Sequence, residues 1–97
     1  MSMRLSVEVT QNDIDEGVPQ DPRACAVQHA LARLFPEADR VLVSGGEATI
    51  QYMDYERVGE LPEEAKRFVQ QFDDCDPDAP RVQPISFDLE LTLRKIV

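Results

Sequence analysis

Tryptophan is absent from this chain, histidine occurs once, cysteine twice and glycine four times. No apolar run comes near the roughly 18 residues that a membrane-spanning helix needs. Each scarcity removes a class of function. The single His29 with Cys25 and Cys75 falls short of the four ligands of a structural zinc site. Without CxxC spacing the two thiols are expected to be reduced and free, not a bridge. Gly45-Gly46 lies in no GxxxxGK[ST] or GxGxxG context, which argues against a phosphate cradle. No metal and no cofactor are expected. Cationic residues are also short, ten Lys and Arg against nineteen Asp and Glu, for a formal charge of −9. Phosphate contacts draw on clustered bases, so direct nucleic-acid binding and anionic lipid are disfavoured while basic proteins are attracted. The start Met1-Ser2-Met3-Arg4-Leu5 lacks the apolar stretch of a signal peptide, and a cytoplasmic location is the expectation.

What remains is enough for one modest core. At 97 residues, 42% apolar and 30% charged, residues 1–97 fit a single domain. In Arg4 to Thr10, Leu5, Val7 and Val9 alternate with polar residues, the period of a half-buried strand. Thr10 is placed to cap a short helical turn with Asp13 at its third position, and Gly17 is expected to supply a left-handed stop. Asp21-Pro22 predicts a helix start, running to about Phe35, with Ala24, Val27, Leu31, Leu34 and Phe35 as its buried face.

Arg40 to Ser44 and Glu47 to Tyr52 flank Gly45-Gly46, a hairpin signal because paired glycines accept positive φ. Leu61-Pro62-Glu63-Glu64 opens a second long helix with Ala65, Phe68, Val69 and Phe72 as its apolar stripe. From Ile85 to Arg94 the alternation is unbroken, which predicts a long strand with one wet face. The sum is an α+β chain in the order βαββαβ. That order matches the ferredoxin-like split βαβ sandwich, with two main helices on one face of a four-stranded sheet.

The acid is densest between Asp54 and Asp78. Asp54, Glu56, Glu60, Glu63, Glu64, Asp73, Asp74, Asp76 and Asp78 stand there against Arg57, Lys66 and Arg67. These nine are the candidate partner-binding residues, each a surface charge that steers encounter and pairs with Lys or Arg. Glu8, Asp88 and Glu90 are expected to add acid on the exposed sheet face. A plain solvated surface accounts for the same residues equally well. Asp74, Asp76 and Asp78 have the spacing of the first calcium-loop ligands, but Ala79 stands where the loop needs Gly and Ile85 where it needs Glu. Cys25 with His29 one turn later looks like half of a nucleophile site, with no third group to orient the histidine. A small Cys/His-dependent or metal-dependent enzyme is therefore the alternative reading. A self-assembling module, pairing through an edge offered by the long final strand, is a third. The RNA-recognition module shares the element order, yet Glu47-Ala48-Thr49-Ile50-Gln51-Tyr52 carries none of its basic and aromatic signature.

Motifs along nearly the whole chain resemble a known pattern. They are Val7-Glu8-Val9-Thr10, Asp13-Ile14, Gly17-Val18-Pro19, Asp21-Pro22, Cys25, Ala30-Leu31, Leu61-Pro62, Ala65, Phe68, Phe72-Asp73 and Pro84-Ile85-Ser86-Phe87 with Leu89. The pattern is that of small uncharacterised proteins of bacteriophages and prophages. The resemblance implies a phage accessory protein, a class that includes inhibitors of host enzymes and of CRISPR defence complexes, and it implies no catalytic residue. Charge and size add a mechanism: an acidic domain acting as a DNA mimic in the groove of a basic host protein.

Overall fold

The alternating runs near the two ends of the chain pair with each other. The computed structural model describes residues 2–17, 21, 24–73 and 82–95. Its elements run β1 (Ser2–Val9), α1 (Gln11–Glu16), α2 (Ala26–Leu34), β2 (Arg40–Ser44), β3 (Glu47–Gln51), β4 (Tyr55–Glu60), α3 (Glu63–Asp73) and β5 (Ile85–Lys95). β1 lies antiparallel to β5 with Leu5 opposite Leu89 and Val7 opposite Phe87. All four strand pairings are antiparallel, and the sheet has five strands in the order β1-β5-β4-β3-β2.

This corrects the four-stranded βαββαβ sandwich. The missing strand is β4, whose inward positions are Tyr55, Arg57 and Gly59 and so show no apolar alternation. Gly59 is required by close approach: a Cβ there would lie 2.2 Å from the Glu90 carbonyl oxygen and 3.0 Å from the Leu91 side chain. With β4 inserted, β1 becomes an edge strand and loses the central place a ferredoxin-like order gives it. β5 is flanked on both sides, by β1 and by β4, so the long final strand is not the edge that the self-assembly reading required.

α2 and α3 cover one face. Val7, Val9, Phe87, Leu89 and Leu91 from the terminal strands meet Val27, Ala30 and Leu31 of α2 and Ala65 and Phe68 of α3 in a single buried cluster. Removing each large side chain from water there contributes about 1.5–3 kcal/mol. The Ser44-Gly45-Gly46-Glu47 hairpin forms as its glycines predict, with φ of 61° and 77°. The Gly46 carbonyl then accepts from the Leu61 amide at 2.8 Å, which ties this turn to the entrance of α3.

Two helix boundaries differ from expectation. α2 starts at Ala26, not at Pro22, because Cys25 is the N-cap: its Sγ accepts from the Gln28 amide at 3.4 Å. The buried stripe shifts with it to Ala26, Val27, Ala30 and Leu31, leaving Leu34 44% exposed. Gly17 is no left-handed stop, since its φ is −70°. It is glycine for want of space: a Cβ would come within 2.7 Å of the Ala26 amide and 2.8 Å of the Phe72 ring.

Candidate functional site

No described helix covers the outer face of the sheet, and alternation decides what stands on it. Outward positions are Arg4, Ser6 and Glu8 on β1, Asp88, Glu90, Thr92 and Arg94 on β5, Glu56, Val58 and Glu60 on β4, and Glu47, Thr49 and Gln51 on β3. Glu47 sits directly opposite Glu60. Two residues beyond the Val58–Thr92 pair, the same register brings Glu60 beside Glu90. Three glutamates thus stand in a row across three neighbouring strands. With Val58, Gly59, Thr92 and Arg94 they border one open concavity of about 410 Å³.

Like charges set opposite each other across a sheet are destabilising. Relief comes from Arg4 of β1, which stands directly opposite Glu90, and from the Lys66 ammonium of α3, which donates to Glu60 Oε1. That bond holds the Glu60 carboxyl below its usual value and raises the Lys66 ammonium. Among the described residues Glu47 and Glu90 make no hydrogen bond or ion pair, so their charge is available to a partner.

The structure divides the nine sequence-predicted residues. Glu60 belongs to the row, and Glu63 and Glu64 are exposed in the first turn of α3, just past it. Glu56 is buried and committed: Arg94 donates to its Oε1 from Nε at 2.7 Å and from Nη2 as well. Asp54 lies at the far end of β4, in a turn closed by the Tyr52 amide on the Tyr55 carbonyl at 2.9 Å and by stacking of the two rings. Asp73 ends α3, about 15 Å of helix away from Glu63. Asp74, Asp76 and Asp78 fall outside the described residues. The acidic window is therefore not one patch. Glu8, Asp88 and Glu90 do lie on the exposed sheet face, and Arg4 reaches Asp88 at 3.8 Å. Glu47 was missed because its outer-face neighbour, Glu60, is on the unrecognised strand.

A second cluster is structural. Asp13 of α1 is 3% exposed, and its carboxylate accepts from the Thr10 amide at 2.9 Å, the Thr10 hydroxyl at 3.0 Å and Arg33 Nη1 at 2.7 Å. Burial pushes this carboxyl up, but the Thr10 and Arg33 donors together outweigh it and leave the group below its usual value. Thr10 and Asp13 complete a reciprocal capping box, and Arg33 extends it to the Glu8 carbonyl at 2.9 Å.

Cys25 lacks the setting of a reactive thiolate. It is 3% exposed, burial raises its thiol above the ordinary value despite its helix-end position, and the charge of Asp73 adds to the effect. Among the described residues no group of three or more His, Cys, Asp and Glu is placed to hold a metal ion. No described helix is long and apolar enough to cross a membrane. No protein-family model matches the chain, and no curated protein or solved structure matches it either.

Proposed function

We propose that this chain is a non-enzymatic binding module that presents the open face of its sheet to a basic protein. The observation that carries the reading is the glutamate row. Glu47, Glu60 and Glu90 stand side by side on the uncovered face with Lys66 beside Glu60 and Arg4 opposite Glu90, and Glu63 and Glu64 continue the negative field around the entrance of α3. Such a field steers a cationic partner during encounter and then pairs with its Lys and Arg. The net charge of −9 sharpens the preference. The resemblance to phage and prophage proteins extends it to an inhibitor of a host protein, with a nucleic-acid-binding enzyme or a CRISPR complex as the class of target, acting in the cytoplasm. Of the nine residues first singled out, Glu60, Glu63 and Glu64 are assigned to the contact. Asp54 and Asp73 are assigned to its periphery, and Glu56 to the support of Arg94.

The test is capture from the lysate of the natural host with wild-type bait and with a Glu47→Lys, Glu60→Lys, Glu90→Lys variant shown by circular dichroism to be folded. The expected result is a basic partner retained by the wild type, released by rising salt and absent from the variant. A partner held equally by both baits, at any salt, refutes the reading.

A further inference from the structure

The two edges of the sheet are finished differently. At β2, the two-residue turn makes Ser44 and Glu47 a hydrogen-bonded pair, so the backbone groups of Val41 face outward. α2 meets them: Gln28 Nε2 donates to the Val41 carbonyl at 3.3 Å. At β1, the other edge, among the described residues only the last outward carbonyl is met, that of Glu8 by Arg33.

Because Arg33 approaches the Glu8 carbonyl from outside the sheet, ladder alternation turns the amides and carbonyls of Ser2, Arg4 and Ser6 the same way. A separate observation agrees. The Glu90 carbonyl points at β4, where it would meet a Cβ on Gly59. Glu90 is thus bonded toward β4, and its neighbours Leu89 and Leu91 are bonded toward Leu5 and Met3 of β1. Arg4 and Ser6 are left facing out. Both are exposed, and among the described residues no hydrogen bond reaches their outward groups.

We propose that a second copy of this chain occupies the β1 edge, the two β1 strands pairing antiparallel about a two-fold axis at Ser6. The residues select that register. It sets Arg4 of each copy opposite Glu8 of the other on the outer face, and Leu5 opposite Val7 on the helix side. The Glu8 carbonyl keeps its bond from Arg33, so the backbone bonds between copies are the Ser6–Ser6 pair and the Glu8 amide donating to the facing Arg4 carbonyl. An axis at Arg4 or at Glu8 would oppose like charges, and an axis at Leu5 or Val7 leaves neither charge facing its opposite. Charges commonly blunt an exposed edge. A single sign would repel a copy, whereas one charge of each sign, spaced evenly about Ser6, attracts one. Met3 and Leu5, only half-buried in one copy, gain cover from the other. Joining the edges makes one continuous sheet whose outer face carries both glutamate rows. The contact itself does not depend on what those rows bind.

Sedimentation equilibrium of the full chain over a wide concentration range tests this without any partner. The expected result is a monomer–dimer equilibrium, weakened about tenfold or more by Arg4→Glu and equally by Glu8→Arg, because each change sets like charges face to face twice per dimer. Combining Arg4→Glu with Glu8→Arg restores it, since the swap recreates both ion pairs. Circular dichroism confirms that each variant is folded, and Glu8→Arg with its double carries the test should Arg4→Glu fail to fold. A chain that stays monomeric throughout overturns the proposal. So does a dimer whose dissociation constant ignores both single charge reversals, or a double variant no tighter than either.

Discussion

The same five strands build both faces of the sheet from alternate residues, and the two faces obey different rules. On the covered face Val7, Ile50, Leu89 and Leu91 are at most 1% exposed and meet helices of matching shape. On the open face Glu47 is set against Glu60, an arrangement that costs stability, and the neighbouring strand adds Glu90. The first face is explained by folding alone. The second is not, and a feature that folding does not explain is where function is best sought.

The sharpest way to separate the faces is to damage one and measure both. Leu89→Ala should lower unfolding free energy by about 2–5 kcal/mol, through lost burial and the cavity left behind. Urea denaturation reads this, while capture of the basic partner per folded molecule should be unchanged. Gly59→Ala sits where the faces meet. Its methyl has to displace the Glu90 backbone, which lies 2.2 Å from the Cβ position, or push β4 away from β5. The expected loss is about 1–3 kcal/mol. Because Glu90 moves with that backbone, partner affinity should fall too, and an unchanged affinity would detach the row from the contact.

Asp13 is the exception on the covered side, a buried charge in the helix layer. Asp13→Asn keeps its shape and removes the charge that Arg33 and the Thr10 donors meet, so a loss of about 1–3 kcal/mol is expected. The pH dependence has a definite sign. The folded carboxyl lies below its ordinary 3.8, so its stabilisation is complete above that value and disappears as pH falls through the lower folded value. Thermal unfolding from neutral pH down through this acid range should show the loss in the wild type and a shallower one in Asp13→Asn. Partner capture at neutral pH, by contrast, should not distinguish the two.

The covered face was largely legible in the sequence because apolar periodicity is a direct image of burial. Leu5, Val7 and Val9, the Ile85 to Leu91 alternation and the stripe at Ala65 and Phe68 all point inward as their spacing requires. Gly45-Gly46 located the hairpin because positive φ is a local demand. What failed depended on tertiary neighbours. β4 hides its strand character because a charged Arg57 and a side-chainless Gly59 take inward positions where apolar residues would have marked a strand, and Gly59 is dictated by the backbone of β5. Cys25 replaced Asp21 as the N-cap of the main crossover helix, and Gly17 answers to Phe72 from a distant helix. The acidic window suffered most. Proximity in sequence suggested one patch, but the fold committed Glu56 to Arg94, sent Asp73 to the far end of α3 and gathered Glu60 with Glu47 and Glu90 from other strands.

The smallest effect on stability should be the most informative about function. Glu47→Gln with Glu90→Gln keeps the outer face hydrophilic and removes two of the three charges in the row. Removing Glu47 relieves Glu60 of the like charge opposite it, and removing Glu90 relieves its other side at the loss of the facing Arg4 of β1, so a small net gain in stability is expected. Its complex with the basic partner should nevertheless be weaker, and its affinity should change less with salt because fewer charges take part. Opposite signs in the two measurements would mean that the row is kept at the expense of stability, as a binding surface is. If instead stability falls and affinity holds, Glu47 and Glu90 serve the fold, and the distinction between the two faces collapses.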